Sequence, residues 1–309
     1  MDLLTLVVPS YNEEFTLPLF MEEIQRVIKT LDGVAVEIIF VDDGSRDKTL
    51  AIIREFHQKY NFVRYISFSR NFGKESAILA GLHASRGTWT AVMDADLQDP
   101  PKLLPEMLNF INSGEYDCVG TCRVTRKGEP PIRSFFARCF YKFINCISDT
   151  KLVDGARDYK LLSRKAVDAL LAMPEVNRFS KGLYEWIGFR TKWISYENVE
   201  RVAGETKWSF WKLFRYSLQG IVSFSTAPLL ISAFLGVFFM FISLVGIATL
   251  AVRQLVYNNS VAGWTSLSCI ILLIGGVQLF CIGVMGQYMS KMYMEIKRRP
   301  HYIVSEQSK

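Results

Sequence analysis

Hydrophobic and polar positions alternate in blocks through the part of the chain before residue 125. Short apolar runs, which are typical of buried strands, are separated by amphipathic segments of helical period. The predicted strands are residues 4–8, 36–41, 63–68, 90–93 and 118–121, and the predicted helices are residues 18–31, 48–60, 74–85 and 101–112. Strands that are apolar on both faces are covered by helices on both sides, so the pattern predicts a doubly wound α/β sheet of parallel strands.

The C-terminal third of the chain has a different pattern. Residues 216–252 and 254–290 contain no Asp, Glu, Lys or Arg. A helix that crosses a bilayer needs about 20 apolar residues, whereas soluble helices of this length nearly always have a polar face. We therefore expect two transmembrane helices, at about residues 229–252 and 264–288. Two buried helices of a soluble core are the weaker alternative.

Basic residues predict the orientation of these two spans. The connecting loop offers only Arg253, and the other basic residues flank the pair: Lys207, Lys212, Arg215, Lys291, Lys297, Arg298 and Arg299. Because basic residues stay on the cytoplasmic side, both termini should lie in the cytoplasm at the inner (plasma) membrane. Residues 208–226 mix aromatic and basic side chains, which predicts an interfacial amphipathic helix. Residues 291–309 are then expected to form a cytoplasmic basic tail.

Composition refines this prediction only slightly. The six cysteines form no CxxC pair, which fits a reducing compartment. The net charge of +6 is better explained by anionic lipid headgroups near the spans than by nucleic acid. The apolar N-terminal run is too short for a signal peptide. Glycines at 275–276 and 283–286 would allow the spans of neighbouring copies to pack closely, as in a homo-oligomer.

Polar segments follow four of the predicted strands at their carboxyl ends. They are PSYNE at 9–13, VDDGS at 41–45, SRNFGKE at 69–75 and DADLQDPP at 94–101. Ligands of doubly wound sheets bind beyond these ends, so four segments should converge on one crevice. The chain contains neither GxxxxGK[ST] nor GxGxxG. Phosphates are therefore expected to meet a metal ion and basic side chains rather than a glycine-rich loop.

The acidic run at 94–101 is the most informative of these segments. Carboxylates that crowd the end of a buried strand repel one another and lose hydration, so a cation must compensate them. Oxygen ligands without a nearby His or Cys suit Mg²⁺ or Mn²⁺ on phosphate oxygens, rather than zinc. Taken alone, the run could also be a solvated acidic turn.

These motifs, together with RVAGETKWS at 201–209, resemble the membrane-bound GT-A glycosyltransferases of family 2. The likeness is greatest to polyprenyl-phosphate sugar transferases of the bactoprenol glucosyltransferase and dolichol-phosphate mannose synthase type. It implies a Rossmann-like GT-A catalytic domain over residues 1–207 and a two-span membrane anchor over 227–290. It also implies inverting, metal-dependent transfer of one sugar to undecaprenyl phosphate. Glucose from UDP-glucose is the expected donor sugar, and N-acetylglucosamine, mannose and aminoarabinose are alternatives.

The resemblance also assigns roles to individual residues. Asp96 and Gln98 would hold Mg²⁺ or Mn²⁺, which makes Asp96 catalytic. Asp158 would be a second catalytic residue, orienting the acceptor or a sugar hydroxyl, although the segment 154–160 departs from the family's Gly-Asp-Phe-Arg form. The residues expected to bind the nucleotide sugar are Pro9, Tyr11, Glu13, Asp42, Lys74 and Asp94.

Basic side chains are expected at the acceptor side, because an anionic lipid phosphate must approach an anionic donor. Arg clamps phosphate oxygens with two hydrogen bonds and Lys acts as a point charge. Arg201 and Lys207 are the first candidates, and Arg133 and Arg138 are weaker ones. A juxtamembrane patch that only attracts headgroups is the alternative.

Two other classes of protein were considered. Processive polysaccharide synthases carry a Gln-x-x-Arg-Trp signature and usually more spans, and this sequence lacks the signature. A membrane scaffold without catalysis or a nucleotide-sugar carrier is the alternative outside the enzymes. Two spans with hardly an ionisable residue offer no polar pathway, which argues against transport.

Overall fold

The computed structural model describes residues 2–123, 145, 153, 155–196, 225–257 and 263–308. Within them the strands are β1 (Asp2–Ser10), β2 (Val34–Asp42), β3 (Val63–Phe68), β4 (Trp89–Val92), β5 (Cys118–Arg123), β6 (Ala156–Ser163), β7 (Thr191–Tyr196) and β8 (Val304–Gln307). The helices are α1 (Thr16–Ile28), α2 (Thr49–Lys59), α3 (Lys74–Ala84), α4 (Leu104–Asn112), α5 (Arg164–Leu171), α6 (Ser180–Trp186), α7 (Ala227–Tyr257) and α8 (Trp264–Ile296). A 3₁₀ turn at Pro101–Leu103 precedes α4.

The predicted strands and helices before residue 125 are confirmed in type and order. Their side chains fill two hydrophobic layers, one on each face of the sheet. Helices α1, α2 and α4 cover one face, where Phe20 packs near Phe40. Helices α3, α5 and α6 cover the other face, where Ile78 and Leu170 are buried. The α/β prediction and the Rossmann-like fold that the resemblance implies are therefore confirmed.

The sheet is mixed, whereas the sequence analysis predicted parallel strands throughout. Its described strands follow the order β7-β5-β6-β4-β1-β2-β3-β8. Strands β1 to β4 pair in parallel, as predicted. Strand β6 runs antiparallel between β4 and β5, and β8 runs antiparallel beside β3. Both were missed because they mix charged and apolar residues and so lack the continuous apolar run of a buried parallel strand.

Helix α3 packs closely against β1 at Gly81, which matters for the site because α3 begins at the carboxyl edge of the sheet. The close approach depends on Gly81, since a Cβ there would lie 2.1 Å from Cγ1 of Val7. A Cβ cannot lie this close to another carbon atom, so any larger residue would force Val7 or α3 to shift.

Helices α7 and α8 are 31 and 33 residues long. Their segments Ala227–Gly246 and Leu273–Ile296 are candidate membrane spans by length and composition, with mean hydropathies of 2.5 and 1.3. Large apolar side chains point outward from both helices, with Phe234 73% and Leu279 71% exposed. Such surfaces suit a lipid environment. The predicted interfacial helix at 208–226 lies, apart from its last two residues, outside the described residues.

The C-terminal segment differs from the tail expected at 291–309. Helix α8 continues to Ile296, and the chain then returns to the α/β domain as β8. The amide of Ser69 donates to the carbonyl of Ile303 at 3.0 Å. Strand β8 thereby covers β3, which would otherwise present an unpaired edge among the described strands.

Candidate active site

The loops that follow β1 and β2 are joined by hydrogen bonds between side chains and backbone. The amide of Asn12 donates to Oγ of Ser45 at 3.0 Å, and the amide of Arg46 donates back to Oδ1 of Asn12 at 2.9 Å. The amide of Glu13 donates to Oγ1 of Thr49 at 2.8 Å. Because each loop supplies partners to the other, the two polar motifs form one wall of the crevice.

Asp42 ends β2 and pairs in register with Ser10 of β1. Its side chain is buried, and its carboxylate accepts hydrogen bonds from the Ser45 amide at 3.1 Å and from Oγ of Ser67 at 2.7 Å. These two hydrogen bonds fix the orientation of the Asp42 carboxylate. The other residues predicted to bind the nucleoside are half-buried at the same edge of the sheet: Pro9, Tyr11 and Glu13.

Asp43 connects the second polar loop to the third. Its carboxylate accepts hydrogen bonds from the amides of Phe72, at 2.6 Å, and Gly73, at 2.9 Å. Burial raises the pKa of Asp43 to about 6, against these hydrogen bonds, which lower it. The next residue, Gly44, has a φ of 68°, and a Cβ there would lie 2.4 Å from the backbone carbon of Arg70. The two loops can therefore meet only because this position is glycine.

Three residues singled out from the sequence meet in the crevice. Lys74, the first residue of α3, places Nζ 2.7 Å from Oδ1 of Asp94, and it also donates a hydrogen bond to Asp158. Asp94 follows β4, and Asp158 lies on β6. The Lys74 side chain is 39% exposed, and those of Asp94 and Asp158 are 22% and 21% exposed. The cluster is therefore open to a ligand.

The charges of this cluster shift the pKa values of its members. Burial lowers the pKa of Lys74, but Asp158 and Asp94 outweigh it and raise that pKa above its ordinary value. Burial likewise raises the pKa of Asp158, but Lys74 and Lys181 outweigh it and hold that pKa well below its ordinary value. Lys74 therefore stays cationic and Asp158 stays anionic at neutral pH.

The acidic run turns sharply after Asp96. Leu97 has a φ of 57°, a left-handed conformation that few residues other than glycine adopt. The turn brings the amide of Gln98 to 3.1 Å from Oδ1 of Asp96. Backbone strain of this kind clusters at ligand-binding sites.

The oxygen donors of this turn suit a hard divalent cation. In the described part of the chain, no three His, Cys, Asp or Glu side chains are grouped to hold a metal ion by themselves. Mg²⁺ is commonly held by one or two carboxylates together with waters and substrate phosphates. The carboxylate of Asp96 fits such a cation, whose coordination would be completed by waters and a diphosphate. Gln98 could join it only by giving up the hydrogen bonds that its amide oxygen accepts from Arg123 and Arg157.

Two arginines that had no assigned role support the acidic run. Oε1 of Gln98 accepts from Nη2 of Arg123 at 3.3 Å and from Nη2 of Arg157 at 3.4 Å. Nε of Arg157 donates to Oδ1 of buried Asp99 at 2.8 Å, and the Tyr196 hydroxyl donates to the same oxygen. Burial lowers the pKa of Arg157, but Asp99 outweighs it and raises that pKa. Lys74 and these arginines thus supply the compensating cations that the crowded carboxylates require.

Glu75 is a further acid, half-buried, that belongs to the third polar segment and had no assigned role. Its carboxylate accepts a hydrogen bond from the amide of Ser180 at 3.0 Å and another from the Ser180 hydroxyl. Burial raises the pKa of Glu75 to about 7. The contact joins the first turn of α3 to the first turn of α6. In the sequence, only the position of Glu75 beside Lys74 indicated a role for it. No local pattern indicated a role for Arg123.

The four basic residues predicted to bind the lipid phosphate lie outside the described residues: Arg133, Arg138, Arg201 and Lys207. Their role remains a prediction from the sequence. Among the predicted site residues that the structure describes, direct contacts join Lys74, Asp94 and Asp158.

Comparison with known proteins identifies the family of this chain. Residues 5–171 match Glycosyl transferase family 2. The chain is 44% identical over 304 residues to CsbB of Bacillus subtilis (strain 168), a protein described as a glycosyltransferase, covering 98% of this chain and 92% of that protein. It is 40% identical over 303 residues to the SfII prophage-derived bactoprenol glucosyl transferase of Shigella flexneri, covering 98% and 97%.

One of the solved structures that match this chain is that of glucosyl-3-phosphoglycerate synthase from Mycobacterium tuberculosis in complex with Mn²⁺ and UDP-glucose. Its TM-score is 0.46, at 22% identity, over 72% of this chain and 77% of that chain. The family assignment rests on the sequence matches, which extend over more than half of the chain. This protein belongs to glycosyl transferase family 2 and is a glycosyltransferase with a GT-A catalytic domain.

Proposed function

We propose that this glycosyltransferase moves one glucose, with inversion, from UDP-glucose to a polyprenyl phosphate such as undecaprenyl phosphate. The observation that carries the proposal is the bridge from Lys74 to Asp94 and Asp158 at the carboxyl edge of the sheet, in a chain that also has two apolar helices. The bactoprenol glucosyl transferases that align with nearly the whole chain support this substrate class.

The donor would lie across the loops after β1, β2 and β4. The carboxylate of half-buried Glu13 can accept a hydrogen bond from uracil or ribose, and Asp94 would face the ribose and diphosphate. Asp42 is buried and its oxygens already accept from Ser45 and Ser67, so it would contact the nucleoside only after the loop shifts. Lys74 places a positive charge beside the diphosphate. Because Asp43 and Gly44 hold the loops together, Lys74 is positioned before the donor binds.

Asp96 and Gln98 would hold Mg²⁺ or Mn²⁺, which when bound stabilises the negative charge that develops on the leaving diphosphate. The amide oxygen of Gln98 accepts hydrogen bonds from Arg157 and Arg123, so it would exchange these contacts for the cation when the metal binds. Arg157 also neutralises the buried Asp99. This ion pair ties the acidic run to β6.

The acceptor needs no strong base. The second pKa of a phosphate monoester is about 6, so a lipid phosphate is largely ionised at neutral pH. One of its oxygens would form a bond to C1 of glucose while the bond from C1 to the diphosphate breaks and UDP leaves. Asp158 is a weak base because its pKa is lowered. It would instead accept a hydrogen bond from a sugar hydroxyl and orient the glucose.

The acceptor's location explains the apolar helices. Each CH₂ of an isoprenoid that leaves the bilayer costs about 0.8 kcal/mol, so the enzyme must reach the phosphate at the membrane surface. Helices α7 and α8 would anchor the catalytic domain there, with both termini in the cytoplasm. Arg201 and Lys207 would then bind the lipid phosphate, with Arg133 and Arg138 beside them.

The test is a transfer assay with the purified full-length protein in lipid nanodiscs that contain undecaprenyl phosphate. Radiolabelled UDP-glucose, UDP-N-acetylglucosamine, GDP-mannose and UDP-aminoarabinose are supplied separately with Mg²⁺, and label extracted into organic solvent is counted. We expect label from UDP-glucose, lost with EDTA. Label from another donor alone would replace glucose by that sugar. Binding of UDP without transfer from any donor would indicate another acceptor lipid or a non-catalytic scaffold.

A further inference from the structure

The end of the second membrane helix is joined directly to the catalytic domain. The carboxylate of Glu295 accepts hydrogen bonds from the amides of Val176, at 3.0 Å, and Asn177, at 3.1 Å. One turn earlier, Nζ of Lys291 donates to Oδ1 of Asn177 at 2.8 Å. The position of α8 relative to the domain is therefore fixed by several polar contacts rather than by the covalent chain alone.

From this joint the chain runs along the sheet edge as a segment that we name the C-terminal strap, residues 297–308. Its strand β8 pairs with β3 in the registers Ser67 to Glu306 and Phe68 to Val304. Beyond the last pair, the Ser69 amide donates to the carbonyl of Ile303 at 3.0 Å. This hydrogen bond reaches the first residue of the loop 69–73, which leads to Lys74.

Aromatic rings continue the contact into that loop. The ring of Tyr302 stacks on Phe68, with centroids 4.9 Å apart and planes 14° apart. Phe68 in turn meets Phe72 edge to face at 5.8 Å. Arg70 and Asn71 between them are exposed. The loop is therefore held on one side by Asp43 and on the other by the strap.

We propose that Tyr302 is a positioning residue for the donor site. Through Phe68 and Phe72 it holds the loop 69–73 against Asp43, and so keeps Lys74 between its two carboxylates. Because the strap starts at the end of α8, the position of the loop 69–73 depends on the position of that helix. The inference rests on the proposed function for the identity of the donor, but the contacts themselves do not depend on it.

The experiment compares three variants of the full-length protein in nanodiscs. Tyr302→Ala removes the stacked ring, and Tyr302→Phe keeps it. Arg54→Met is the matched control, because it removes the ion pair of Arg54 with Glu306 of the strap, at 2.6 Å, without touching the rings. The readouts are kcat and KM for the donor sugar that the wild type uses, UDP affinity by calorimetry, and hydrogen exchange of the amides in the loop 69–73.

If the energy of one aromatic pair is lost from the positioned loop, the affinity for the donor should fall about two- to tenfold. We expect Tyr302→Ala to raise KM and weaken UDP binding by that factor, with kcat within twofold, and to speed exchange at Phe72 and Gly73. Tyr302→Phe and Arg54→Met should match the wild type. A lower melting temperature of Tyr302→Ala with unchanged KM, UDP affinity and loop exchange would overturn the proposal. The exchange data decide it even if the wild type transfers no sugar, which would count against the proposed function alone.

Discussion

Nζ of Lys74 lies 2.7 Å from Oδ1 of Asp94, although the two residues come from different loops at the sheet edge. The same ammonium donates to Asp158 on β6. One cation therefore compensates two carboxylates that would otherwise repel each other and any anionic substrate. In the proposed function, the same ammonium also supplies positive charge to the diphosphate of the nucleotide sugar.

Replacing Lys74 with Met should weaken donor binding about tenfold or more, because the carboxylates then face the diphosphate without a counter-charge. The pH profile should change as well. Lys74 lowers the pKa of Asp158, so its loss raises that pKa, and Asp158 becomes protonated at a higher pH. The acid limb of kcat/KM, measured from pH 5 to 8, should therefore move upward in pH. Lys74→Arg keeps the charge and is the control; an unmoved acid limb in Lys74→Met would refute this reading.

Replacing Asp96 with Asn should lower turnover about a thousandfold, which corresponds to the several kcal/mol that a metal supplies to charge stabilisation. The fold should persist, since the substitution keeps the shape of the side chain. The measurement is label transfer at increasing Mg²⁺ concentration. Glu106→Gln, at an exposed position on α4, is the control. Activity of Asp96→Asn within tenfold of the wild type would remove Asp96 from the metal site.

Two glycines with positive φ provide a matched comparison. Gly44 has a φ of 68° and lies where a Cβ would meet the Arg70 backbone at 2.4 Å, whereas Gly114 has a φ of 76° and nothing within 4 Å. Replacing either with Ala adds left-handed strain of about 1–2 kcal/mol. Only Gly44→Ala should also separate two loops of the site. We expect it to lower the melting temperature further and to weaken UDP binding, and equal effects of the two substitutions would contradict the loop contact.

Glu75 should make the stability of the protein depend on pH. Burial raises its pKa from 4.5 to about 7 in the folded protein. The folded state then holds the proton more tightly than the unfolded state, so stability falls as pH rises from about 5 to 7. The free energy of unfolding should fall by about 3 kcal/mol in total over this pH range.

Glu75→Gln removes this ionisation. It should therefore be more stable than the wild type at pH 8, and the difference should shrink toward pH 5. Thermal unfolding in detergent at pH 5, 6.5 and 8 measures this, with Glu106→Gln as the control. A difference that is the same at every pH would show that Glu75 is ionised in the folded protein to the same extent as in the unfolded chain.

The sequence by itself determined the parts of this protein that depend on local pattern. Apolar runs and helical periods fixed the first five strands and four helices, because these periods reflect which faces of an element are buried. The parallel arrangement of β1 to β4 then placed Asp42, Lys74 and Asp94 at one edge. The two apolar helices also followed from composition alone.

Only the tertiary structure decided which distant groups meet. Arg157 reaches Asp99 across 58 residues, Glu75 reaches Ser180 across 105, and Arg54 reaches Glu306 across 252. The hydrophobic periodicity of the sequence does not predict such pairs. They depend on the path of the chain and on the antiparallel placement of β6 and β8. Short strands of mixed polarity gain their stability from the neighbours they pair with, so their positions become visible only in the assembled sheet.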